Sequence, residues 1–191
     1  MRYFCLALAM GCTPHLVSLE DEINGLNWEA PENSWGSSTP PSTLVGEGFS
    51  VGDVPHDFRM IDQHGEEVAL WQFYGSVILL DISTMWCGPC QQIAQDVNET
   101  WEDYRDDDFI YLTVLPEDLE GGSVEANDLA DWTEGFHIEA PVLADNGGYG
   151  YEVEPNREWP VVMLIDRKMR VVVERIPPVD AAIRSAIEAE L

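Results

Sequence analysis

Val77-Ile-Leu-Leu-Asp81-Ile-Ser-Thr-Met-Trp86-Cys87-Gly-Pro-Cys90-Gln-Gln-Ile-Ala94 joins an apolar run to a polar turn and then to a helical pattern. The near-continuous apolar run Val77–Ile82 predicts a central strand buried on both faces. The turn delivers two cysteines, separated by two residues, to a helix start. There the partial positive charge and the unpaired N–H groups favour a thiolate over a thiol. The spacing lets the second sulfur reach back to the first and close a reducible disulfide. A Cys-x-x-Cys in a strand–helix context therefore points to dithiol redox chemistry. Two other readings are weaker. Half a zinc site would need a second Cys-x-x-Cys or a His-x-x-x-His, and none follows. A structural staple over so few residues would constrain the unfolded chain very little.

Working outward, strands alternate with helices, the mark of an α/β domain with parallel pairing. Before the central run, Phe58 to Asp62 and Glu66 to Leu70 read as a hairpin turning at His64-Gly65. Leu70 to Tyr74 reads as a short apolar helix or turn. After Cys90, the residues Ile93, Val97, Trp101 and Tyr104 form one apolar stripe, predicting a helix through Arg105. Phe109–Leu115 is a second core strand, ended by Pro116. Ser123 is a plausible N-cap for a helix with Leu129, Trp132 and Phe136 inward. Pro141 to Asp145 is a short strand, followed by a turn at Asn146-Gly-Gly148. Trp159-Pro160 opens a strand over Val161 to Asp166. A hairpin at Arg167 to Arg170 leads to Val171–Glu174, and Asp180 is expected to cap a last helix with Ile183 and Ile187 inward.

The charge balance is extreme: nine Lys+Arg against 36 Asp+Glu, for a formal net charge of −27. Lys168 is the sole lysine. Such a surface repels nucleic acid and anionic membranes, which removes both as electrostatic partners. It suits general solubility or a salty medium better than one specific basic partner.

The first twelve residues, Met1-Arg-Tyr-Phe-Cys-Leu-Ala-Leu-Ala-Met-Gly-Cys12, read as a short export signal: one arginine, then an apolar stretch too short to span a bilayer. A buried N-terminal strand is the alternative. Leu8 to Cys12 resembles a bacterial lipobox, which implies acylation of Cys12 and a membrane anchor stronger than a single chain would provide. Cys5 then leaves with the signal, and Cys87 and Cys90 remain as the pair. Thr13 to Gly48 lacks periodicity and is rich in Glu, Asn, Ser, Gly and Pro. It is expected to be a mostly disordered tether, with Trp28 and Trp35 either incidental or docked. The layout is thus a signal over residues 1–12, a tether over 13–48 and a domain over 49–191.

Trp86-Cys87-Gly88-Pro89-Cys90 resembles the active site of thioredoxins, and Asp81 falls where thioredoxins carry a buried acid. Gly52-Asp53-Val-Pro55-His-Asp57-Phe58 is similar to the opening of TlpA-like and peroxiredoxin-like domains. The resemblance runs from Phe49 to the C-terminus. It implies a thioredoxin-like α/β fold, with a central mixed sheet flanked by helices and an N-terminal hairpin extension. It also implies Cys87 as nucleophile, its pKa drawn down from about 8.5, with Cys90 as the resolving thiol and Gly88 and Pro89 holding the turn. Asp81, buried at a strand end, should have a raised pKa suited to taking the proton of Cys90. Pro160 falls at the cis-proline position and would leave the backbone of Trp159 free to pair with an extended substrate. The Trp159 ring either narrows the substrate range or packs on Trp86. Three departures stand out: Gln95 replaces the proline that kinks the thioredoxin helix, no lysine on Phe109–Leu115 faces Asp81, and Lys168-Met169 replaces the usual Asp-Gly. Asp81 is therefore expected to act alone.

The resemblance implies an extracytoplasmic thiol–disulfide oxidoreductase of the bacterial cell envelope, with no cofactor or metal beyond its cysteines. Its partners would be a disulfide-containing protein substrate, an upstream thiol protein as electron donor, and a membrane reached through the lipid. A peroxidase is a second reading, since Thr84 stands three before Cys87. Against it, Leu80 replaces the proline of the peroxidase motif. A third is Cu(I) binding by the thiolates, although copper-delivering relatives space their cysteines by three. The four histidines, His15, His56, His64 and His137, read as surface residues.

Overall fold

A computed structural model of the chain describes residues 28–191. The export-signal segment, Cys5, Cys12 and His15 fall outside the described residues. Seven strands form one sheet in the order β2-β1-β5-β4-β3-β6-β7: β1 Arg59–Asp62, β2 Glu67–Ala69, β3 Val77–Ile82, β4 Phe109–Leu115, β5 Val142–Ala144, β6 Val161–Ile165 and β7 Val171–Val173. β3 runs parallel to β4 and antiparallel to β6, and every residue of β3 and β4 is buried. The sheet is mixed, as expected.

Period-two alternation divides the core in two. Val77, Leu79, Phe109, Tyr111 and Leu115 face the helices α1 (Gly88–Ala94), α3 (Ala126–Phe136) and α5 (Asp180–Glu190). Ile78, Leu80, Ile82, Ile110, Leu112 and Val114 face the other way. They meet the hairpin β1–β2, the 3-10 turn Leu70–Phe73, and Tyr149 of the short helix α4 (Tyr149–Val153).

The second face is completed by the segment expected to be a tether. From Trp28 onward that segment is not a free spacer. Trp28, Trp35, Leu44 and Phe49 pack against the second core. Trp28 Nε1 donates to Asp57 at 2.8 Å, and Trp35 Nε1 donates to Asp62 at 2.6 Å. Asn33 donates to the Glu67 carbonyl of edge strand β2, and Ser38 donates from N to Gln72 and from Oγ to Tyr74. At the far edge, Gly52 and Asp53 exchange backbone bonds with Val171 of β7 (2.8 and 2.9 Å). Together with Gly52 and Asp53, which follow the expected tether, the segment forms a strap that crosses the sheet and meets both of its edges, which would otherwise present unpaired N–H and C=O groups. Composition misjudged it because its few apolar anchors gain their burial only from a surface built by distant residues.

Other boundaries also move. The helix expected to run unbroken to Arg105 is divided: α1 ends at Ala94 and α2 spans Val97–Tyr104. Asp96 adopts φ −102°, ψ −5°, and its N–H bonds to Ile93 three residues back, a tightened turn that breaks the helix without proline. Helix α3 starts at Ala126 rather than after Ser123, with the Asp128 carboxylate accepting the Glu125 N–H at 2.7 Å. Asp180 is the first residue of α5 rather than its cap, and its carboxylate takes Arg184 Nε at 2.8 Å. The turn at Gly148 continues into α4, because Asp145 accepts the backbone N–H groups of Gly147, Gly148, Tyr149 and Gly150.

Asp62 is buried and accepts from Trp35 Nε1 and from the N–H groups of His64 and Glu66, at 2.8 Å each. Trp35→Phe removes one donor from this charge, so it is expected to cost about 1–3 kcal/mol. The measurement is the urea midpoint at unchanged m-value. An unchanged midpoint would mean that the strap adds nothing to the fold.

Candidate active site

The strand β3 ends at Ile82, and the chain turns through Ser83 to Trp86 before α1. Met85 N–H is tied to the Glu117 carbonyl at 3.1 Å, and Cys87 N–H to the Thr84 carbonyl at 3.2 Å. Cys87 is the N-cap of α1, and its sulfur accepts the Cys90 N–H at 3.3 Å. Cys87 and Cys90 are joined in a disulfide with Cα atoms 5.2 Å apart. Cys87 retains 5% exposure and Cys90 none, so Cys87 is the outer sulfur, as expected. Gly88 and Pro89 are exposed at the tip of the turn, and nothing lies within 4 Å of a Cβ placed on Gly88.

On the opposite wall the Trp159–Pro160 bond is cis. The carbonyl of Trp159 lies 3.7 Å from Cys87 Sγ. Pro160 leads into β6, which pairs with β3 from Val161 opposite Ile82. The Trp159 ring packs against Tyr151, with centroids 6.2 Å apart. Trp86 instead is tied to Glu117 and is 47% exposed. The two tryptophans belong to separate contacts.

Glu117 is a site residue that sequence reasoning missed. It is buried, yet its carboxylate accepts from Trp86 Nε1 at 2.7 Å and from Tyr151 OH at 2.8 Å, and it pairs with Arg157 at 3.4 Å. Arg157 in turn lies over the Tyr151 ring, 4.5 Å from its centroid. One buried acid thus braces the residue before Cys87 against the loop carrying Tyr151 and Arg157. The partners stand 31 to 40 residues away in the chain, so no local pattern could have shown them. The sole signal was an acid directly after Pro116 at a strand end.

Asp81 is buried on the sheet face shared with Val77, Leu79 and the cysteine pair. Burial raises its pKa from 3.8 to about 7, against the pull of hydrogen bonds from Ser83 and Tyr111. Ser83 Oγ donates to it at 2.6 Å. Burial and the neighbouring Asp81 push the Tyr111 hydroxyl well above its ordinary range. Asp81 is not without partners. Tyr111 stands on the strand that has no lysine, and Ser83 lies two residues past Asp81; both are neutral donors, which a pattern of charges does not reveal.

The AhpC/TSA family model matches residues 51–174. The chain belongs to the AhpC/TSA family. Among curated proteins it is similar to the thiol-disulfide oxidoreductase ResA of Bacillus thuringiensis subsp. konkukian (strain 97-27), at 23% identity over 67% of this chain and 70% of that protein. The thioredoxin-like protein YneN of Bacillus subtilis (strain 168) is 22% identical over 63% of this chain and 68% of its own length. Among solved structures, a candidate thiol:disulfide interchange protein DsbE from Chlorobium tepidum aligns with a TM-score of 0.62 and 25% identity, covering 75% of this chain and 96% of that one. The exposed lipoprotein thioredoxin Etrx1 of Streptococcus pneumoniae aligns with a TM-score of 0.56 and 26% identity, covering 70% and 98%. The fold is thioredoxin-like, and the family member is of the TlpA-like kind.

The raised pKa of Asp81 makes stability depend on pH. In the unfolded chain the carboxyl ionises near 4, whereas the folded protein holds the proton to about 7. The unfolded state therefore loses the proton first. The stability associated with this group falls as pH rises from about 4 to about 7 and then levels off. Asp81→Asn, which cannot ionise, should remove that slope. Its stability relative to wild type in urea should rise between pH 5 and pH 8 by about 2–3 kcal/mol. Parallel curves over that range would show that Asp81 ionises normally.

Proposed function

We propose that this thiol–disulfide oxidoreductase works outside the cytoplasm, held to a bacterial membrane by lipid on Cys12, and reduces disulfides in exported proteins. The observation that carries the reading is the placement of Cys87 Sγ at the N-cap of α1, facing the Trp159 carbonyl beside cis-Pro160. An extended substrate segment lying along Trp159 would bring its own disulfide to the outer sulfur. The names of the similar proteins support the same chemistry.

In the reduced protein, the α1 N-terminus favours the Cys87 thiolate. It attacks one sulfur of the substrate disulfide, which forms a mixed disulfide and expels the other substrate sulfur as a thiolate that takes a proton from solvent. Cys90 then gives its proton to ionised Asp81 and attacks Cys87. The Cys87–Cys90 bond forms, the mixed disulfide breaks, and the second substrate thiolate leaves. Two electrons pass from the cysteine pair to the substrate, and an upstream thiol protein returns them. The pair serves as the whole redox group, with no dissociable cofactor. Trp86, Gly88, Pro89, Trp159 and Pro160 form the surface the substrate meets, and the Trp159 side chain sets its width.

The purified protein should reduce insulin with dithiothreitol as electron source. Cys87→Ser should abolish turnover, and Cys90→Ser should accumulate a mixed disulfide on Cys87. Absence of turnover by intact wild type would refute the reading. In cells, metabolic labelling with a fatty acid should mark the wild type and not Cys12→Ala. Label that persists in the variant would remove the anchor from Cys12.

A further inference from the structure

The proposed cycle leaves a proton on a carboxyl that has no contact with solvent. Asp81 is 1% exposed, yet a proton must leave it for solvent when the disulfide forms and come back for Cys90 when the pair is reduced again. Its surroundings on the cysteine side of the sheet are few. Ser83 donates to it, and its hydroxyl is itself fully buried. Thr113 is its register partner on β4, with a buried hydroxyl that has no partner among the described residues. Tyr111, on the same face of β4, is the remaining hydroxyl.

Tyr111 differs from the others in what lies beyond it. It lines a small cavity together with Ile93, Asp96, Thr100, Asp180 and Ile183. The cavity has room for about one water molecule. Of its lining residues only Asp96, at the break between α1 and α2, and Asp180, in the first turn of α5, are partly exposed, so its way to solvent runs between them. An unbroken helix would carry Asp96 differently; the tightened turn places this half-buried carboxylate at the mouth. Asp180 is already engaged by Arg184 Nε, whereas the Asp96 side chain does not cap α2. The ionisable and hydroxyl groups around the path are thus Cys90 from α1, Ser83 after β3, Tyr111 and Thr113 from β4, Asp96 at the break, Thr100 from α2, and Asp180 with Arg184 from α5.

We propose that Tyr111 is the outlet for the Asp81 proton, relaying it through its hydroxyl to a water in this cavity and so past Asp96 to solvent. The hydroxyl oxygen accepts the proton of Asp81 while its own hydrogen passes to the water, and the water releases a proton at the mouth; on re-reduction the same path runs backwards and returns a proton through Asp81 to the leaving Cys90 thiolate. Tyr111 begins and ends neutral, so its high pKa is no obstacle. It touches no substrate atom and acts through Asp81, as a positioning and relay residue. The inference rests on the role proposed above for Asp81.

The test compares wild type, Tyr111→Phe and Asp81→Asn in single-turnover release of reduced substrate from the mixed disulfide, followed by multiple turnovers in weak buffer. Tyr111→Phe keeps the ring and removes only the hydroxyl. It should leave the first release nearly unchanged and slow later turnovers by about tenfold. The slowed step should show an increased solvent deuterium isotope effect, and added imidazole buffer should restore its rate. The pH midpoint of turnover should move upward, because Asp81 loses one donor to its charged form. A folded Tyr111→Phe with wild-type pH midpoint, isotope effect and buffer response overturns the outlet, whatever Asp81→Asn does. A wild-type rate and profile in Asp81→Asn removes both the role of Asp81 and the relay built on it. Should Tyr111→Phe not fold, Asp96→Asn at the half-exposed mouth carries the same test: slowing that buffer relieves supports the path, and unchanged turnover in weak buffer overturns it.

Discussion

Strand β3 has no exposed residue, and most of the structure follows from that constraint. A strand in the middle of a seven-stranded sheet must be covered on both faces, because its apolar side chains alternate between them. Helices α1, α3 and α5 cover one face. On the other, a hairpin, a 3-10 turn and the strap from Trp28 to Asp53 take that role. The same burial carries Asp81 inside at the strand's end and forces the chain to turn immediately afterwards. The turn becomes the cysteine site, with Cys87 at a helix N-cap and Cys90 enclosed.

The site separates two kinds of buried acid by the donors they meet. Glu117 receives an indole N–H, a phenol and a guanidinium from distant stretches of the chain. It works as a brace, fixing Trp86 beside Cys87. Asp81 meets only hydroxyls, which hold the charged form less strongly than the burial disfavours it. Its pKa near neutrality leaves it able to take and release a proton. In a chain of net charge −27, carboxylates are abundant, and their surroundings set them apart.

Much of the fold was legible because it is written in periods. The runs Val77–Ile82 and Phe109–Leu115, the stripe of Ile93, Val97, Trp101 and Tyr104, and the pair Ile183 and Ile187 all appear as elements close to where they were expected. The disulfide pair was legible from spacing, and the position of Pro160 from resemblance. The strap was not, since Trp28 and Trp35 act through Asp57 and Asp62, on a surface assembled by other strands. The helix break is not legible either: no proline marks it, and Asp96 achieves it through one backbone bond. Glu117, Tyr111 and Ser83 were passed over for a related reason: their value lies in partners across the sheet or across a turn.

The sequence by itself determined which reacting groups the chain carries. A dithiol, its spacing, an acid at the end of an apolar strand and a proline at the head of another are local facts, and local facts are set by covalent order and short-range preference. Only the tertiary structure decided how those groups are tuned. The pKa of Asp81 depends on burial by residues from several elements, the seat of Trp86 on an acid 31 residues away, and the cavity beside Tyr111 on a helix break meeting the start of α5. Desolvation and hydrogen bonding act through space, and the folded chain alone sets those distances.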